Sequence, residues 1–385
     1  MLVQNATHSG HTAGSDGTPE SVEEIRAMLS ESPAIGVPVE MAQGVWLVRL
    51  PLTASMDHVN IYVLDDDNGW TVIDTGNNSP ECRAIIDELF LRGPFSTKPV
   101  SRVLATHYHN DHVGLVGHIA EFGAEFWATR TCWLTARLLQ MDQRTVPCDN
   151  EIRFLQQASL GAMELAAYRR SSPSNYSKQV LPLPFAYHRL IDNDVVTIGD
   201  RTWRIHCGNG HAAEHATLWS DDGLAIVGDQ ILPGISSNLS VHPSEPEADL
   251  VSEWIDSCRK MAALADENTL CLPGHGIPFI GIRKRCEQLI ASQTSVLRRL
   301  LEFLQRPATV VDCLPTLYRR ALQPGERPAL IQETVGFLNY LCRQQLVHRE
   351  TMPNETYLFS RCSSSLPDDS MLSKSATTLP VTVLP

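Results

Sequence analysis

The chain has 385 residues, of which 43% are hydrophobic, and it carries a formal net charge of −13. This length suggests two or three domains, and the negative charge argues against broad binding to nucleic acid or to acidic membranes. Ten scattered cysteines without a C-x-x-C pair predict reduced thiols in a cytoplasmic protein. No apolar run approaches the ~20 residues of a membrane span, and residues 1–20 lack the apolar stretch of a secretory signal.

The first part of the chain predicts strands that alternate with helices after a polar start. Residues 1–20 are rich in Gly, Ser and Thr and are predicted to form a disordered tail, with a short helix over 19–30. Strand patterns follow at 45–48, 59–64, 70–73 and 100–105, and helix patterns at 80–91 and 114–122. The sequence Asp66-Asp67-Asn68-Gly69 indicates a hairpin turn between two of these strands.

Residues 131–178 interrupt this alternation, because their apolar spacing favours helices at 131–141 and 151–169. Strand patterns resume at 195–198, 202–206, 224–227 and 269–272. Strands that alternate with helices predict an α/β layered enzyme with its site on one rim. The helical stretch is then a candidate for an insert that covers the substrate.

The segment 295–361 has a different pattern. Helix patterns run over 295–305, 309–320 and 329–345, and strand patterns over 346–348 and 357–359. Three helices followed by a two-stranded wing predict a winged-helix domain over 295–361, after a catalytic domain over 21–294. The Ser-, Thr- and Pro-rich residues 362–385 are predicted to form a second disordered tail.

The strongest functional signal is a group of ligand-type side chains. An H-x-H-x-D-H cluster supplies four of them within six positions, and three more follow later, each directly after an apolar run. Imidazole and carboxylate are the groups that hold zinc, iron or manganese near neutral pH. The candidate metal ligands are His107, His109, Asp111, His112, His211, Asp229 and His275.

The spacing of these residues predicts a dinuclear site. Two histidines at i and i+2 on an extended loop can both point to one ion, the Asp-His pair just beyond can turn to a second, and a carboxylate such as Asp229 can bridge both. Water between two ions is acidified to a hydroxide near neutral pH, so no serine or cysteine nucleophile is needed. The prediction is a site for two Zn²⁺ ions, with iron or manganese as alternatives, that uses a metal-bridging hydroxide.

The order of these motifs resembles the metallo-β-lactamase superfamily, and in particular its hydrolases of the glyoxalase II and lactamase-β-like type. Besides the ligand motifs, the segment Val72-Ile73-Asp74-Thr75-Gly76 resembles the early strand-turn motif of the family. The likeness covers roughly residues 45–279 and implies an αββα sandwich with the site between the sheet edges. The segment 295–361 resembles the winged-helix domain that follows the catalytic domain in some lactamase-β-like hydrolases.

The resemblance also implies a role for each ligand. One ion would be held by His107, His109 and His211. The other would be held by Asp111, His112 and His275. Asp229 would bridge the two ions, and Asp74 would orient the ligand loop.

One segment departs from the family pattern. Many relatives have Gly-His-Thr-x-Gly-His, whereas the segment starting at Gly210 reads G-H-A-A-E-H and lacks the Thr and the second Gly. His215 keeps the last position and is expected to hydrogen-bond either the substrate or Asp229. The catalytic candidates are therefore Asp111, Asp229 and His215.

Residue types also rank the activities of the superfamily. Flavin-linked di-iron relatives have Glu at the position of His109, so an imidazole there favours a hydrolytic zinc site. True β-lactamases generally lack a carboxylate at the position of Asp229, which argues against antibiotic hydrolysis as the main role. The first interpretation is a hydrolase of a small-molecule ester, thioester or lactone, with no nucleic-acid or membrane partner expected and the oligomeric state open. The alternatives are an RNA phosphodiesterase, a mononuclear-iron persulfide dioxygenase, and a non-catalytic binding protein that acts through the winged helix.

Overall fold

A computed structural model describes residues 24–52, 57–318, 320, 322, 325–363 and 365–373. Residues 1–20 of the predicted N-terminal tail and residues 374–385 of the predicted C-terminal tail lie outside the described residues. Two seven-stranded sheets pack face to face, and helices cover the outer face of each. This arrangement confirms the predicted αββα sandwich.

The strands and helices are numbered in chain order through the described residues. The strands are β1 (Arg26–Ala27), β2 (Val39–Ala42), β3 (Val45–Pro51), β4 (His58–Asp66), β5 (Gly69–Ile73), β6 (Val100–Leu104), β7 (Glu125–Thr129), β8 (His188–Leu190), β9 (Val195–Ile198), β10 (Arg201–Gly208), β11 (His215–Ser220), β12 (Leu224–Gly228), β13 (Leu270–Pro273), β14 (Phe279–Ile280), β15 (Val347–Thr351) and β16 (Tyr357–Arg361). The helices are α1 (Pro80–Asp87), α2 (Asn110–Val113), α3 (Val116–Ala120), α4 (Arg130–Met141), α5 (Asp149–Gln157), α6 (Ala162–Tyr168), α7 (Leu250–Leu264), α8 (Ile282–Phe303), α9 (Val310–Leu317), α10 (Arg327–Arg343) and α11 (Asp369–Leu372).

The first sheet has the order β2-β3-β4-β5-β6-β7-β8 and the second the order β1-β14-β13-β12-β11-β10-β9. Central strands are buried on both faces, which explains their near-continuous apolar sequences. In β4, for example, Val59, Ile61 and Val63 face the outer helices, while Tyr62 and Leu64 face the other sheet. The sandwich interior therefore brings the ends of strands from both sheets to one rim.

The helical stretch predicted at 131–178 forms α4, α5, α6 and a 3₁₀ turn at Tyr176–Lys178, between strands β7 and β8 of the first sheet. We call residues 130–178 the insert. Its N-terminal helix is capped by Thr129, whose hydroxyl accepts a hydrogen bond from the Cys132 amide. The insert therefore starts directly where β7 ends.

The C-terminal segment contains three helices, α8 to α10, and the antiparallel pair β15 and β16, in the predicted order. The domain boundary predicted at residue 295 falls inside the 22-residue helix α8, so this helix continues from one predicted domain into the other. One hydrophobic cluster includes side chains of the second sheet, such as Val227, together with Leu300 of α8 and Phe337 of α10. The C-terminal helices are thus packed on the sandwich through a shared core.

Two local predictions at the ends of the described chain are corrected. The helix predicted over 19–30 is wrong in its described part, because Arg26 and Ala27 pair with β14 as an edge strand. Edge pairing overrides a weak local helix pattern. Within the tail predicted to be disordered, residues 369–372 form α11, whose Leu372 is 0% exposed and joins the core. None of the described helices combines the length and the apolar character that crossing a bilayer requires.

Candidate metal centre

Each candidate ligand lies on a short segment directly after a buried strand. The H-x-H-x-D-H cluster follows β6, with Asp111 and His112 on the one-turn helix α2. His211 follows β10, Asp229 follows β12 and His275 follows β13. The rim of the sandwich thus gathers residues that are up to 168 positions apart in the sequence, from 107 to 275.

The first ligand set consists of three imidazoles. The ligand nitrogens of His107, His109 and His211 lie within 4.8 Å of one another. The Nε2 atom of His107 is 2.9 Å from Nδ1 of His109, and the His109 and His211 rings are 4.6 Å apart. Three neutral imidazoles at this spacing suit a divalent transition metal.

The second set combines imidazoles with carboxylates. Ligand atoms of Asp111, His112 and His275 lie within 4.8 Å of one another. The carboxylate of Asp229 lies between the two sets: its Oδ1 is 3.4 Å from Nε2 of His112, and its Oδ2 is 3.6 Å from Nε2 of His211 and 3.2 Å from Nε2 of His275. The Asp229 carboxylate therefore lies within reach of imidazoles from both sets.

Unsatisfied atoms show that these residues fit divalent ions. The Nε2 atoms of His112, His211 and His275 and the Oδ1 atom of Asp229 are buried without a hydrogen-bond partner among the described residues. Buried polar atoms are nearly always partnered, so four such atoms in one place require a further group. Cations held by imidazole nitrogen and carboxylate oxygen satisfy all four atoms at once.

In these three imidazoles the opposite ring nitrogen is held by an oxygen acceptor. Nδ1 of His112 is 2.8 Å from Oδ2 of Asp74, Nδ1 of His211 is 2.9 Å from the Asn238 carbonyl, and Nδ1 of His275 is 2.6 Å from the His58 carbonyl. Because these oxygens accept hydrogen bonds, each of these rings donates from Nδ1, which leaves Nε2 as the atom available to a cation.

Asp74 has the contacts that the predicted orienting role requires. Its Oδ1 accepts the Thr106 amide at 2.8 Å, and its Oδ2 accepts the Thr106 hydroxyl at 2.8 Å as well as the His112 ring. Its backbone φ of 61° is a left-handed conformation that Asp tolerates better than most residues. One carboxylate thus fixes both the start of the ligand loop and a ligand within it.

Strand β4 of the first sheet supports the His275 loop of the second sheet. The Asn60 amide group donates to the carbonyls of Pro273 and Gly276, both at 2.9 Å, and the Tyr62 hydroxyl donates to the Pro273 carbonyl at 2.8 Å. The Gly276 amide donates to Nε2 of His58 at 2.9 Å. This supporting role was not predicted from the sequence. The signal for it is the polar side chains at alternate positions of the buried strand β4.

The charges of the two sets differ. Burial, together with the neighbouring His211, lowers the pKa of His109 to about 3, so this imidazole is neutral. Burial also acts to lower the pKa of His275, but Asp229 and Asp111 outweigh it and raise that pKa to about 10. The carboxylates therefore attract positive charge at the second set, where a cation would bind.

His215 supports the site from behind. It is fully buried, its ring stacks 4.5 Å from that of His107, and its Nε2 accepts the backbone amide of Asp229 at 3.1 Å. Of the two roles expected for His215, this geometry favours hydrogen bonding to Asp229, through the backbone and not the carboxylate. A substrate contact does not fit a ring that is 0% exposed.

The glycine before His275 is required by close packing. A Cβ atom at Gly274 would lie 2.2 Å from Oδ1 of Asp229 and 2.9 Å from the His112 ring. Any side chain there would displace two ligands together. The Gly-His-Gly motif thus reflects the tight approach of two ligand loops.

Asp74→Asn is expected to weaken metal binding by about 10–100-fold, because an amide cannot accept both the Thr106 hydroxyl and the His112 ring as the carboxylate does. Chelator competition measures the affinity. Asp87→Asn is the matched control. Oδ1 of Asp87 lies 2.7 Å from Nε2 of His118, and His118 is not a candidate metal ligand. Equal metal affinity in both variants would contradict the orienting role of Asp74.

Comparison with known proteins identifies the class. The family model for the metallo-beta-lactamase superfamily matches residues 55–124. The crystal structure of a beta-lactamase domain protein from Burkholderia ambifaria is 32% identical, with 88% of this chain and 98% of that chain covered and a TM-score of 0.80. The chain therefore belongs to the metallo-β-lactamase superfamily.

Two further relatives are more distant. The "Probable metallo-hydrolase YqjP" of Bacillus subtilis (strain 168) is 22% identical over 321 residues, which cover 80% of this chain and 96% of that protein. A metallo-beta-lactamase family protein from Thermus thermophilus is 22% identical with a TM-score of 0.70, covering 84% of this chain and all of that chain, and supports the fold. Family membership, with the His/Asp groups at the rim, indicates a metal-dependent hydrolase.

Proposed function

We propose that this protein hydrolyses an ester, thioester or lactone of a small molecule with the help of two zinc ions. The observation that carries the proposal is the position of Asp229, whose carboxylate oxygens lie 3.2–3.6 Å from imidazoles of both ligand sets. A bridging carboxylate is the feature by which the sequence resemblance separates such hydrolases from true β-lactamases.

The ligand residues have separate roles in this proposal. His107, His109 and His211 would hold one ion, Asp111, His112 and His275 the other, and Asp229 would contact both. When bound, the ions supply Lewis-acid chemistry, which polarises the substrate carbonyl and acidifies water. Iron or manganese would offer similar chemistry to the same donors.

Asp111 is the carboxylate that we assign to orienting the attacking water. Its side chain is 16% exposed, against 6% for Asp229, so it lies on the accessible side of the site. Burial raises the pKa of Asp111, but His112 and His275 outweigh it and lower that pKa to about 2. Oδ2 of Asp111 is therefore ionised at neutral pH and can accept a hydrogen bond from the attacking water, which orients it, while so low a pKa makes this carboxylate too weak a base to hold the proton. His215 and Asp74 hold the ligand residues in place.

The cysteines support the proposed location. All ten lie in the described part of the chain and are free thiols, which supports a cytoplasmic location.

We further propose that α8 to α10 with β15 and β16 constitute the winged-helix module expected from the sequence. Its role is structural in this proposal, because its helices share the core of the second sheet.

A substrate panel tests the proposed function. Zinc-loaded protein is expected to hydrolyse at least one of a thioester, a lactone and an aryl ester, and to leave a phosphodiester and a cephalosporin intact. The Asp111→Asn variant serves as a matched control, since it should keep the fold but lose the turnover. Cleavage of the phosphodiester alone would move the protein to the nuclease class, and sulfite formation from a persulfide with one bound iron would move it to the dioxygenases.

A further inference from the structure

Glu214 occupies a backbone conformation that favours glycine. Its φ is 49°, in the left-handed region, at the position where the family pattern has the second Gly. The loop is otherwise ordered around it, since the Glu214 amide donates to Oδ1 of Asn209 at 2.9 Å. A charged residue in an unfavourable conformation points to a role for its side chain.

The Glu214 side chain contacts the start of the insert. Its Oε2 accepts the Thr131 amide at 2.9 Å and the Thr131 hydroxyl at 2.6 Å. Thr131 lies in the first turn of the 12-residue helix α4, where amides lack partners within the helix and the helix dipole favours negative charge. The loop that carries His211 and His215 is thus bonded directly to the insert.

The far end of the insert is bonded to the other ligand loop. The hydroxyl of Tyr176 donates to the backbone carbonyl of Tyr108, which lies between His107 and His109. The Tyr108 ring in turn contacts the ring of His109 at 4.8 Å. The insert is therefore attached near both of its ends to the segments that supply the first ligand set.

Apolar packing holds α4 through a few residues. Cys132 and Ala136 are fully buried, and the partly buried Trp133 packs on the core of the first sheet. The larger apolar residues Leu134, Leu138 and Met141 are 51%, 67% and 77% exposed. Trp133 and Gln140 of the same helix also donate to the carbonyls of Pro184 and Leu181. The polar contacts of Thr131 add to these attachments and join the first turn of α4 to the loop that carries His211.

We propose that Glu214 is a positioning residue that fixes the insert against the metal-binding loops, so that the insert forms one wall of the substrate site. The wall itself is part of the proposed function, whereas the attachment of α4 stands on its own contacts. Glycine at position 214 would relax the backbone but remove the attachment. Glu214→Gly therefore separates the two roles of this residue.

Hydrogen exchange of the metal-loaded protein tests the attachment directly. In Glu214→Gly, amides of residues 130–141 are expected to exchange at least about tenfold faster, because a charge-assisted bond pair is lost. Glu214→Gln keeps an acceptor oxygen and should stay within about threefold of wild type, and Thr131→Val, which removes one of the two bonds, should fall between. Gln345→Gly is the control, since it relaxes a similar φ of 57° beyond α10.

Kinetics with a substrate from the panel test the wall. Glu214→Gly should raise KM about tenfold and leave kcat and the metal content nearly unchanged. This result is expected when a variant loses contacts that bind the substrate and the transition state equally. Unchanged exchange over 130–141 together with an unchanged KM would overturn the inference. If no panel member is hydrolysed, the proposed function fails, while the exchange result still decides whether Glu214 positions the insert.

Discussion

Asp229→Asn is expected to lower kcat/KM by at least about 1000-fold, which corresponds to about 4 kcal/mol of transition-state stabilisation. The carboxylate faces imidazoles of both ligand sets, so its loss affects both at once. An amide keeps the shape of the side chain but loses the negative charge that offsets two cations. Steady-state kinetics and elemental analysis of the same sample measure the effect, and the metal content should fall with the activity.

The control for this variant is another buried aspartate. Asp249 caps α7 through Ser252: its Oδ1 is 3.1 Å from the Ser252 amide and its Oδ2 is 2.7 Å from the Ser252 hydroxyl. Asp249 is not a candidate metal ligand. Asp249→Asn should cost about 1 kcal/mol of stability and leave activity and metal content unchanged. Full turnover by Asp229→Asn would refute the bridging role, whatever the control shows.

Removal of metal is the second change with a large expected effect. Protein whose metal has been removed with a chelator should lose all measurable hydrolysis. It should also unfold at a lower temperature, because the buried Nε2 atoms of His112, His211 and His275 then lack a partner. Bound ions stabilise the native state by mass action. The stabilisation is about 4 kcal/mol when the free metal concentration is 1000 times the Kd of the site. Differential scanning calorimetry before and after chelation measures the shift.

Reconstitution identifies the metal that supports activity. Zinc is expected to restore both hydrolysis and Tm, and parallel additions of manganese and iron show whether the donor set discriminates among them. Added calcium is a suitable negative control, since it prefers oxygen donors. Unchanged activity in protein shown to be free of metal would exclude a metal-dependent mechanism.

The sequence predicted the candidate ligands because their spacing is local and chemically unusual. Four ligand-type residues within 107–112 are difficult to explain by packing, and His211, Asp229 and His275 follow apolar strands whose ends meet at one rim. The alternation of strands and helices predicted the layers for the same reason, since burial on both faces leaves a clear pattern.

Apart from the role of Asp74, which the family resemblance implied, the contacts that orient the ligands could not be predicted from the sequence. The carbonyls of His58 and Asn238 hold ligand rings, and a backbone acceptor has no signature in the sequence. The role of Glu214 depends on a partner 83 positions away, in a helix of the insert. The continuity of α8 across residue 295 was also not predicted, because the packing of its two halves on the sandwich has no local signal in the sequence.

The most direct test of the dinuclear site is a crystal structure of the zinc-loaded protein with anomalous scattering recorded at the zinc edge. Two peaks are expected, one among His107, His109 and His211 and one among Asp111, His112 and His275, with Asp229 in contact with both. A well-folded crystal without a peak at these imidazoles, or with a single ion that Asp229 does not contact, would contradict a bridged pair of ions.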